Sequence, residues 1–245
     1  MKLSDGKGEG TKILALDSSG LVASVAVVSE DNLIAEYTIN YKKTHSQTLL
    51  PMLDEIVKLI ELDLKEIDAI AVAAGPGSFT GLRIGSSTAK GLGLALNKPI
   101  IAIPTVEGLA YNLYGTEQLI CPIMDAKRNQ VYTGLYQFKN NELEVLEPQQ
   151  AVDISEIVDK IHKWNRSVIF LGDGVEVYRD QLKELMKIPY SFAPLHLLKQ
   201  RAGAIGALGV VYFKKGLVED ADLHQPTYLR LSQAERELAE RQQKQ

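Results

Sequence analysis

The pattern of apolar and polar residues predicts three consecutive strands near the start of the chain. The apolar runs cover residues 13–17 (ILALD), 22–28 (VASVAVV) and 33–39 (LIAEYTI), with a polar turn at 30–32 between the second and third. Short apolar runs separated by turn residues are typical of strands joined by hairpins. This segment is therefore predicted to form an antiparallel meander.

Two helices and two further strands are predicted to follow. Apolar residues at helical spacing cover residues 46–62, and an unbroken apolar run covers 67–74. A glycine-rich turn then leads into a second helix beginning at Ser78 or Thr80, since either residue is a good N-cap. A short strand over residues 99–103 ends this half.

The second half of the chain repeats this order of elements. Its first strand ends in an aspartate, as the strand over 13–17 does. The predicted strands are 119–125, 131–138, 143–146 and 168–171, and the predicted helices are 154–163, one after Gly172-Asp173-Gly174, and 201–214. Two β-β-β-α-β-α units predict an α/β protein of two mixed-sheet lobes.

The repeat also suggests how the chain is divided. Residues 12–104 are predicted to form the N-terminal lobe and residues 105–231 the C-terminal lobe. The polar, glycine-rich residues 1–11 are predicted to be a flexible extension, and residues 232–245 a charged tail.

The duplicated plan resembles the actin, sugar-kinase and heat-shock-ATPase superfamily, whose lobes are ribonuclease H-like. In that superfamily ATP binds between the lobes, and the aspartates that end the first strand of each lobe act with its metal. The corresponding residues here are Asp17 and Asp125. The loop after Asp17 has no lysine for a phosphate, which indicates a degraded phosphate site.

Composition narrows the functional classes. The formal net charge is −4, which gives the chain as a whole no electrostatic preference for nucleic acid or anionic membranes. Its one cysteine, Cys121, lies in an apolar run and is interpreted as a core thiol. No segment approaches the ~20 apolar residues of a membrane span, and we expect a cytoplasmic protein.

The segment GPGSFTGLRIG, residues 75–85, is the strongest local signal for chemistry. Glycines between a strand and a helix allow a ligand or another backbone to come close, and a helix N-terminus attracts anions. Arg83, in the first turn of that helix, is expected to meet an anion or a carboxylate, because the helix dipole disfavours a cation there. The candidate anion or nucleotide cleft consists of Asp17, Ser18, Gly75, Gly77, Ser78, Arg83 and Asp125.

A metal site on the first long helix lacks its second histidine. His45 precedes that helix, and a two-histidine site needs a partner one turn later, where Leu49 stands. His45 is interpreted as a solvated residue at a helix start, and a complete metal site is not expected. No metal ligand set is assigned.

Both helices of the first half could carry a protein interface. Apolar residues cover most of the circumference of the first helix, which indicates burial on more than one side. They include Leu49, Leu53, Ile56 and Ile60. The second side faces either the same lobe or another protein. In the second helix Gly81, Gly85, Ala89 and Gly93 form a stripe that favours close approach of another helix, internal or external.

Taken together, several motifs resemble the bacterial TsaB (YeaZ) family. They are ILALDSS (13–19), His45-Ser46-Gln47, GPGSFTGLRIG, Met124-Asp125-Ala126-Lys127-Arg128 and Tyr228-Leu229-Arg230. The resemblance runs from about residue 12 to residue 230, and GPGSFTGLRIG is its most specific part.

The resemblance implies a non-catalytic subunit in threonylcarbamoyl modification of the adenosine beside the tRNA anticodon. Its catalytic relative TsaD is the implied partner, the ATPase TsaE binds the heterodimer, and the chain pairs with itself when TsaD is absent. The tRNA is the substrate of the complex. The implied interface consists of His45, Leu49, Leu53, Ile56, Ile60, Gly85, Ala89 and Gly93.

No cofactor is assigned to the chain itself, and ATP or ADP is a candidate ligand of the cleft or of the complex. Two alternatives remain open at this stage. One is a glycoprotease-like metallopeptidase, which needs a metal. The other is a small actin-fold kinase, which needs a phosphate-binding lysine.

Overall fold

The computed structural model describes residues 10–41 and 44–230. The predictions for the first nine residues and for the tail 232–245 lie outside the described residues. In the first half, the elements are β1 (Lys12–Asp17), β2 (Ala23–Ser29), β3 (Leu33–Ile39), α1 (His45–Leu59), β4 (Ala69–Gly75), α2 (Phe79–Leu96), β5 (Ile100–Pro104) and α3 (Thr105–Tyr111). In the second half, they are β6 (Leu119–Asp125), β7 (Gln130–Lys139), β8 (Glu142–Asp153), α4 (Ile154–Trp164), β9 (Val168–Leu171), α5 (Gly174–Leu185), β10 (Tyr190–Phe192) and α6 (Ala202–Lys214).

The strands form two sheets of the same design. Sheet 1 has the order β3-β2-β1-β4-β5, and sheet 2 has the order β10-β9-β6-β7-β8. In each sheet the first three strands in sequence form an antiparallel meander, and the last two run parallel to the first of them. The predicted fold class, two lobes of duplicated actin-like plan, is confirmed.

Several boundaries differ from the prediction. Helix α1 ends at Leu59 instead of residue 62, and Ile60 is its C-cap. Strand β8 extends to Asp153 instead of residue 146, because an edge strand can carry exposed glutamate, glutamine and proline, which mask its strand pattern. Helix α3 and strand β10 were not predicted, since a helix of seven residues and a strand of three give little periodicity.

Alternate residues of the central strands face opposite sides of sheet 1. Leu14 and Leu16 join α1 and α2 in one hydrophobic cluster. Ile13 and Ala15 join Ile205 and other α6 residues in a second cluster. Because side chains alternate along a strand, these two clusters cover the two faces of the same sheet.

The last helix of each half therefore packs on the sheet of the other half. Helix α6 contacts β1, β2, β3, β4 and β5, whereas Val106, Leu109, Ala110 and Leu113 of the α3 segment belong to the core of sheet 2. The predicted division at residue 104 places α6 in the C-terminal lobe, whereas α6 packs on sheet 1. The two lobes exchange helices α3 and α6, which contact each other.

Residues 217–230, here called the C-terminal strap, return along the first lobe to the cleft. Glu219 and Ile100 exchange two backbone hydrogen bonds of 2.9 Å, and the Thr227 N–H donates to the Ala74 carbonyl at 2.7 Å. Buried His224 joins the strap to α2, with its Nδ1 2.6 Å from Glu219 Oε1 and its Nε2 3.0 Å from Ser86 Oγ. These contacts hold the strap against β5 and α2.

Candidate functional site

The glycine loop before α2 is packed against the loop that follows β1. Ser78 caps α2, its Oγ accepting from the Gly81 N–H at 3.3 Å, which confirms the predicted N-cap. The Ser78 N–H donates to the Ser19 carbonyl at 2.7 Å, and Ser18 Oγ donates to the Gly81 carbonyl at 2.8 Å. A Cβ on Gly77 or Gly81 would overlap the carbonyl oxygen of Ser19 or Ser18. These glycines therefore allow the backbone of the loop after β1 to pack closely against the glycine loop.

Gly75 serves the same purpose at the end of β4. Its φ of +125° lies in a region that favours glycine, and a Cβ there would overlap the carbonyl oxygen of Thr227 in the strap. Its N–H donates to Thr105 Oγ1 at 3.1 Å. The position predicted to approach an anion instead approaches the strap.

A cleft of about 530 Å³ lies between the two lobes. Ser19, Gly20, Leu21, His45, Gly77, Ser78, Phe79 and Leu82 line it from the first lobe, Met124, Asp125, Ala126, Lys127, Tyr132 and Asp173 from the second, and Tyr228, Leu229 and Arg230 from the strap. Of the predicted cleft residues, Gly77, Ser78 and Asp125 line this space. Asp17, Ser18, Gly75 and Arg83 are not among the lining residues.

Asp17 lies beneath the cleft, buried at the end of β1. Its Oδ1 accepts from the Ser19 N–H at 2.9 Å and from Ser19 Oγ at 2.6 Å. Burial raises the pKa of Asp17 to about 6, although the bonds from Ser19 and the proximity of His45 oppose this rise. The carboxyl group thus acts inside the fold, where it orders the Ser18–Ser19 turn.

The second lobe contributes two aspartates with different surroundings. Asp125 accepts from the Lys127 N–H at 2.8 Å and pairs with Lys127 Nζ at 2.5 Å. Burial raises the pKa of Asp173, and within the described residues its Oδ1 atom has no hydrogen-bond partner. Asp125 was predicted as a cleft residue, whereas Asp173 was noted only as part of a turn.

His45 lies at the cleft and is already engaged. It is the first residue of α1, and its Nε2 atom lies 2.8 Å from the Gly20 carbonyl oxygen, to which it donates. Leu49, one turn later, is buried in the first-lobe core. In the part of the chain that the structure describes, no three His, Cys, Asp or Glu residues converge as metal ligands.

Arg83 pairs with no carboxylate among the described residues. Its guanidinium lies 4.1 Å from the centre of the Phe79 ring, and its Nε donates to the Tyr228 hydroxyl at 3.3 Å. The aromatic pair stabilises the cation from outside the helix, so the unfavourable dipole does not require a counter-ion.

Of the predicted interface residues, all except His45 and Ile60 are buried in the interior of the first lobe. Leu49, Leu53, Ile56, Gly85, Ala89 and Gly93 are all buried, and Ile60 is the half-buried C-cap of α1. A Cβ on Gly85 would lie 2.5 Å from Ser18 Oγ, and one on Gly93 2.7 Å from the Cβ of Ala221. The wide apolar arc and the glycine stripe therefore reflect internal packing, which periodicity alone does not distinguish from an interface.

The solvent-facing sides of the same helices are partly apolar. Leu50 and Leu59 of α1 are 53% and 72% exposed, and Leu94 of α2 is 57% exposed. Gly91, which lies on the exposed side of α2, has open space around it. Its small size has no explanation in the internal packing of the chain.

Sequence reasoning missed three side chains that line the cleft mouth: Phe79, Tyr228 and Arg230. The rings of Phe79 and Tyr228 lie 4.7 Å apart, and Arg230 donates to the carbonyl of Ala126 in the second lobe. Phe79 lies within GPGSFTGLRIG, and Tyr228 and Arg230 lie within the motif Tyr228-Leu229-Arg230, whose position across the cleft depends on the path of the strap.

No helix among the described residues is both long enough and apolar enough to span a membrane.

Comparisons with a family model and with individual proteins agree on the family to which this chain is similar. Residues 32–238 match the family model described as TsaD, tRNA N6-adenosine threonylcarbamoyltransferase. The tRNA threonylcarbamoyladenosine biosynthesis protein TsaB of Bacillus subtilis (strain 168) is 36% identical over 94% of this chain and 99% of its own length. The TsaB protein of Escherichia coli (strain K12) is 32% identical over 71% of this chain and 76% of its own length.

A solved structure supports the same assignment. YeaZ from Pseudomonas aeruginosa superimposes with a TM-score of 0.75 and 27% identity, covering 89% of this chain and all of that one. The chain therefore belongs to the TsaB (YeaZ) family of tRNA threonylcarbamoyladenosine biosynthesis proteins.

Proposed function

We propose that this chain is a non-catalytic scaffold subunit in the cytoplasm that binds TsaD and supports its transfer of threonylcarbamoyl to the tRNA adenosine beside the anticodon. TsaE joins the complex as its ATPase, and the chain pairs with a second copy of itself when TsaD is absent. The tRNA enters as the substrate of the complex.

The observation that carries the proposal is the closed glycine loop. A helix N-terminus that holds a phosphate needs free backbone N–H groups. Here the Ser78 N–H donates to Ser19, the Gly81 N–H donates to Ser78, and the Ser18 and Ser19 carbonyl oxygens fill the space at the glycines. His45, the remnant of a two-histidine pattern, donates to Gly20. Ser18, Ser19, Ser78 and the Nε2 atom of His45 are thus used in contacts within the chain.

The exposed side of α1 and α2 is the proposed surface for TsaD. Leu50, Leu59 and Leu94 leave apolar area in contact with solvent, and Gly91 allows a partner helix to come close to the α2 backbone. A groove of about 680 Å³ between β3 and α1 adjoins this surface and is lined by Tyr37, Pro51 and Leu59 among others. This surface replaces the buried residues predicted from the sequence.

Reconstitution with TsaD tests the proposal. The chain alone should neither modify tRNA nor hydrolyse ATP, and modification should require the chain, TsaD, TsaE and ATP together. Threonylcarbamoyladenosine is measured by mass spectrometry of digested tRNA. Robust modification by the chain without TsaD would contradict the scaffold role.

A charged substitution tests the surface itself. Leu50→Glu combined with Leu94→Glu should abolish co-elution with TsaD on size exclusion while leaving the thermal unfolding of the chain unchanged. The matched control is Leu195→Glu in the second half, which is 89% exposed and should co-elute normally. Undiminished co-elution of the double variant would place the interface elsewhere.

A further inference from the structure

Several arginines lie near the mouth of the interlobe cleft, although the chain as a whole has a formal net charge of −4. Exposed Arg83 lies over the ring of Phe79, and Phe79 in turn contacts Tyr228 of the strap. Tyr228 is 39% exposed, so part of its ring is open to a ligand. One side of the mouth therefore presents a cation together with two aromatic rings.

The other side of the mouth is a loop of the second lobe that the strap reaches. Arg230 donates to the carbonyl oxygens of Ala126 and Lys127, the latter at 3.4 Å. Arg128 follows in the same loop and is exposed. Arg230 thus lines the cleft, Arg83 lies over the lining residue Phe79, and Arg128 follows the lining residue Lys127. Within the described residues, none of the three guanidinium groups is paired with a carboxylate.

The interior of the cleft has the opposite character. Asp125 and Asp173 line it, and Asp173 Oδ1 is a buried acceptor that lacks a partner among the described residues. A phosphate is repelled by these carboxyl groups and attracted by the arginines at the mouth. A ligand carrying both phosphates and hydrogen-bond donors is therefore expected to enter with its phosphates outward and its donors inward.

Single-stranded RNA fits this arrangement. Proteins that bind single strands combine cations along the backbone with aromatic rings on which bases stack. The cavity of about 530 Å³ also lies within the roughly 300–1,000 Å³ typical of small-ligand sites. We propose that the cleft mouth binds single-stranded RNA, with phosphates on Arg83, Arg128 and Arg230, a base against Tyr228, and a ribose or base donor directed to Asp173. The choice of RNA over other polyanions rests on the proposed function, which brings tRNA to the complex.

Fluorescence anisotropy of the full chain with a labelled oligoadenylate RNA of about ten nucleotides tests the proposal. Arg83→Gln combined with Arg128→Gln should weaken binding at least about tenfold at ~50 mM KCl. It should also reduce the slope of log affinity against log salt by about 1.4, since each lost single-strand phosphate contact contributes ~0.7. Tyr228→Ala should weaken binding about tenfold, whereas Tyr228→Phe keeps the ring and should stay within about twofold.

The chain offers a closely matched control. Arg179 is also exposed and also lies over a phenylalanine, 4.2 Å from the centre of the Phe192 ring, and Lys187 is an exposed cation away from the mouth. Arg179→Gln with Lys187→Gln changes the net charge equally and should leave RNA binding within about twofold. Equal weakening by both pairs, no binding by the unaltered chain, or equal displacement by polyglutamate would overturn the proposal.

The RNA site and the scaffold role fail in different ways. The Arg128→Gln variant, altered only in the second lobe, should still co-elute with TsaD but should support less tRNA modification. If the unaltered chain fails to bind TsaD while its RNA binding depends on the mouth, only the scaffold role is rejected. If the mouth variant modifies tRNA and binds oligoadenylate normally, only the RNA site is rejected.

Discussion

The carbonyl oxygen of Ser19 accepts a hydrogen bond of 2.7 Å from the backbone N–H of Ser78. This contact joins the loop after the first strand to the start of α2. Glycine is required at two positions of the glycine loop. Any side chain at Gly77 or Gly81 would overlap a backbone oxygen, and a backbone oxygen cannot rotate away.

The first prediction compares two glycines of α2. Gly81→Ala should lower the free energy of unfolding by about 1–3 kcal/mol, because the new methyl group overlaps the Ser18 carbonyl. Gly91→Ala should raise it by up to about 0.8–1 kcal/mol, since the site is open and alanine favours helix. Urea unfolding measures both. Equal effects of the two substitutions would contradict the packing described for the loop.

The second prediction separates the buried and exposed sides of α1. Leu53→Glu places a charge in the first-lobe core, where Leu53 is 5% exposed, and should cost at least about 3 kcal/mol or prevent folding. Leu50→Glu, at a position that is 53% exposed, should change stability by less than about 0.5 kcal/mol. Thermal unfolding followed by circular dichroism distinguishes them. A stable Leu53→Glu variant would show that this face of the helix is not core.

The third prediction concerns pH. The pKa of Asp17 rises from 3.8 to about 6 on folding, so its contribution to stability is complete below about pH 4 and is lost as the pH rises through about 6. Asp17→Asn stays neutral and keeps an acceptor for Ser19. Its stability relative to the unaltered chain should therefore increase by about 3 kcal/mol between about pH 4 and pH 8.

Asp31→Asn, at an exposed turn, is the control for this measurement. Its stability difference from the unaltered chain should change little over the same pH range. A flat difference for Asp17→Asn in urea unfolding would mean that the Asp17 carboxyl ionises as it does in the unfolded chain.

The fourth prediction follows from the exchange of α3 and α6. Ile205 of α6 is 1% exposed in the cluster on sheet 1, so Ile205→Ala should cost about 2–5 kcal/mol. Amide hydrogen exchange should show that protection falls first in β1 and β4 rather than in β6 and β9. The control Val177→Ala, at a site that is 59% exposed, should leave both sheets protected. Loss confined to sheet 2 would refute the exchange.

The strands could be predicted from the sequence more accurately than the packing of the helices on the sheets. Strands such as β6 and β9 are apolar runs bounded by turn residues, and their predicted limits match the structure. The exchange of α3 and α6 was not predicted, because the sequence of a helix does not indicate which sheet the helix packs against. An alanine- and glycine-rich helix such as α6 is apolar on most sides and fits either sheet.

The candidate site was only partly predictable for a related reason. Asp17, Asp125 and Ser78 were identified because each ends a strand or starts a helix, and such positions can be recognised locally. Tyr228 and Arg230 reach the cleft only because the strap follows β5 and α2 over a long distance. The pattern at Leu53 and Gly85 fits both core and interface, because an internal neighbour and an external one require the same side chains.

The exchange of helices also has a consequence for synthesis on the ribosome. The strands of sheet 1 are complete at Pro104, but the helix that covers one face of the sheet ends at Lys214. At ~5–20 residues per second, the nascent chain carries that apolar face uncovered for roughly 5–20 s. The first lobe is thus synthesised first but completed last, and during this interval its uncovered apolar face is open to association with other chains.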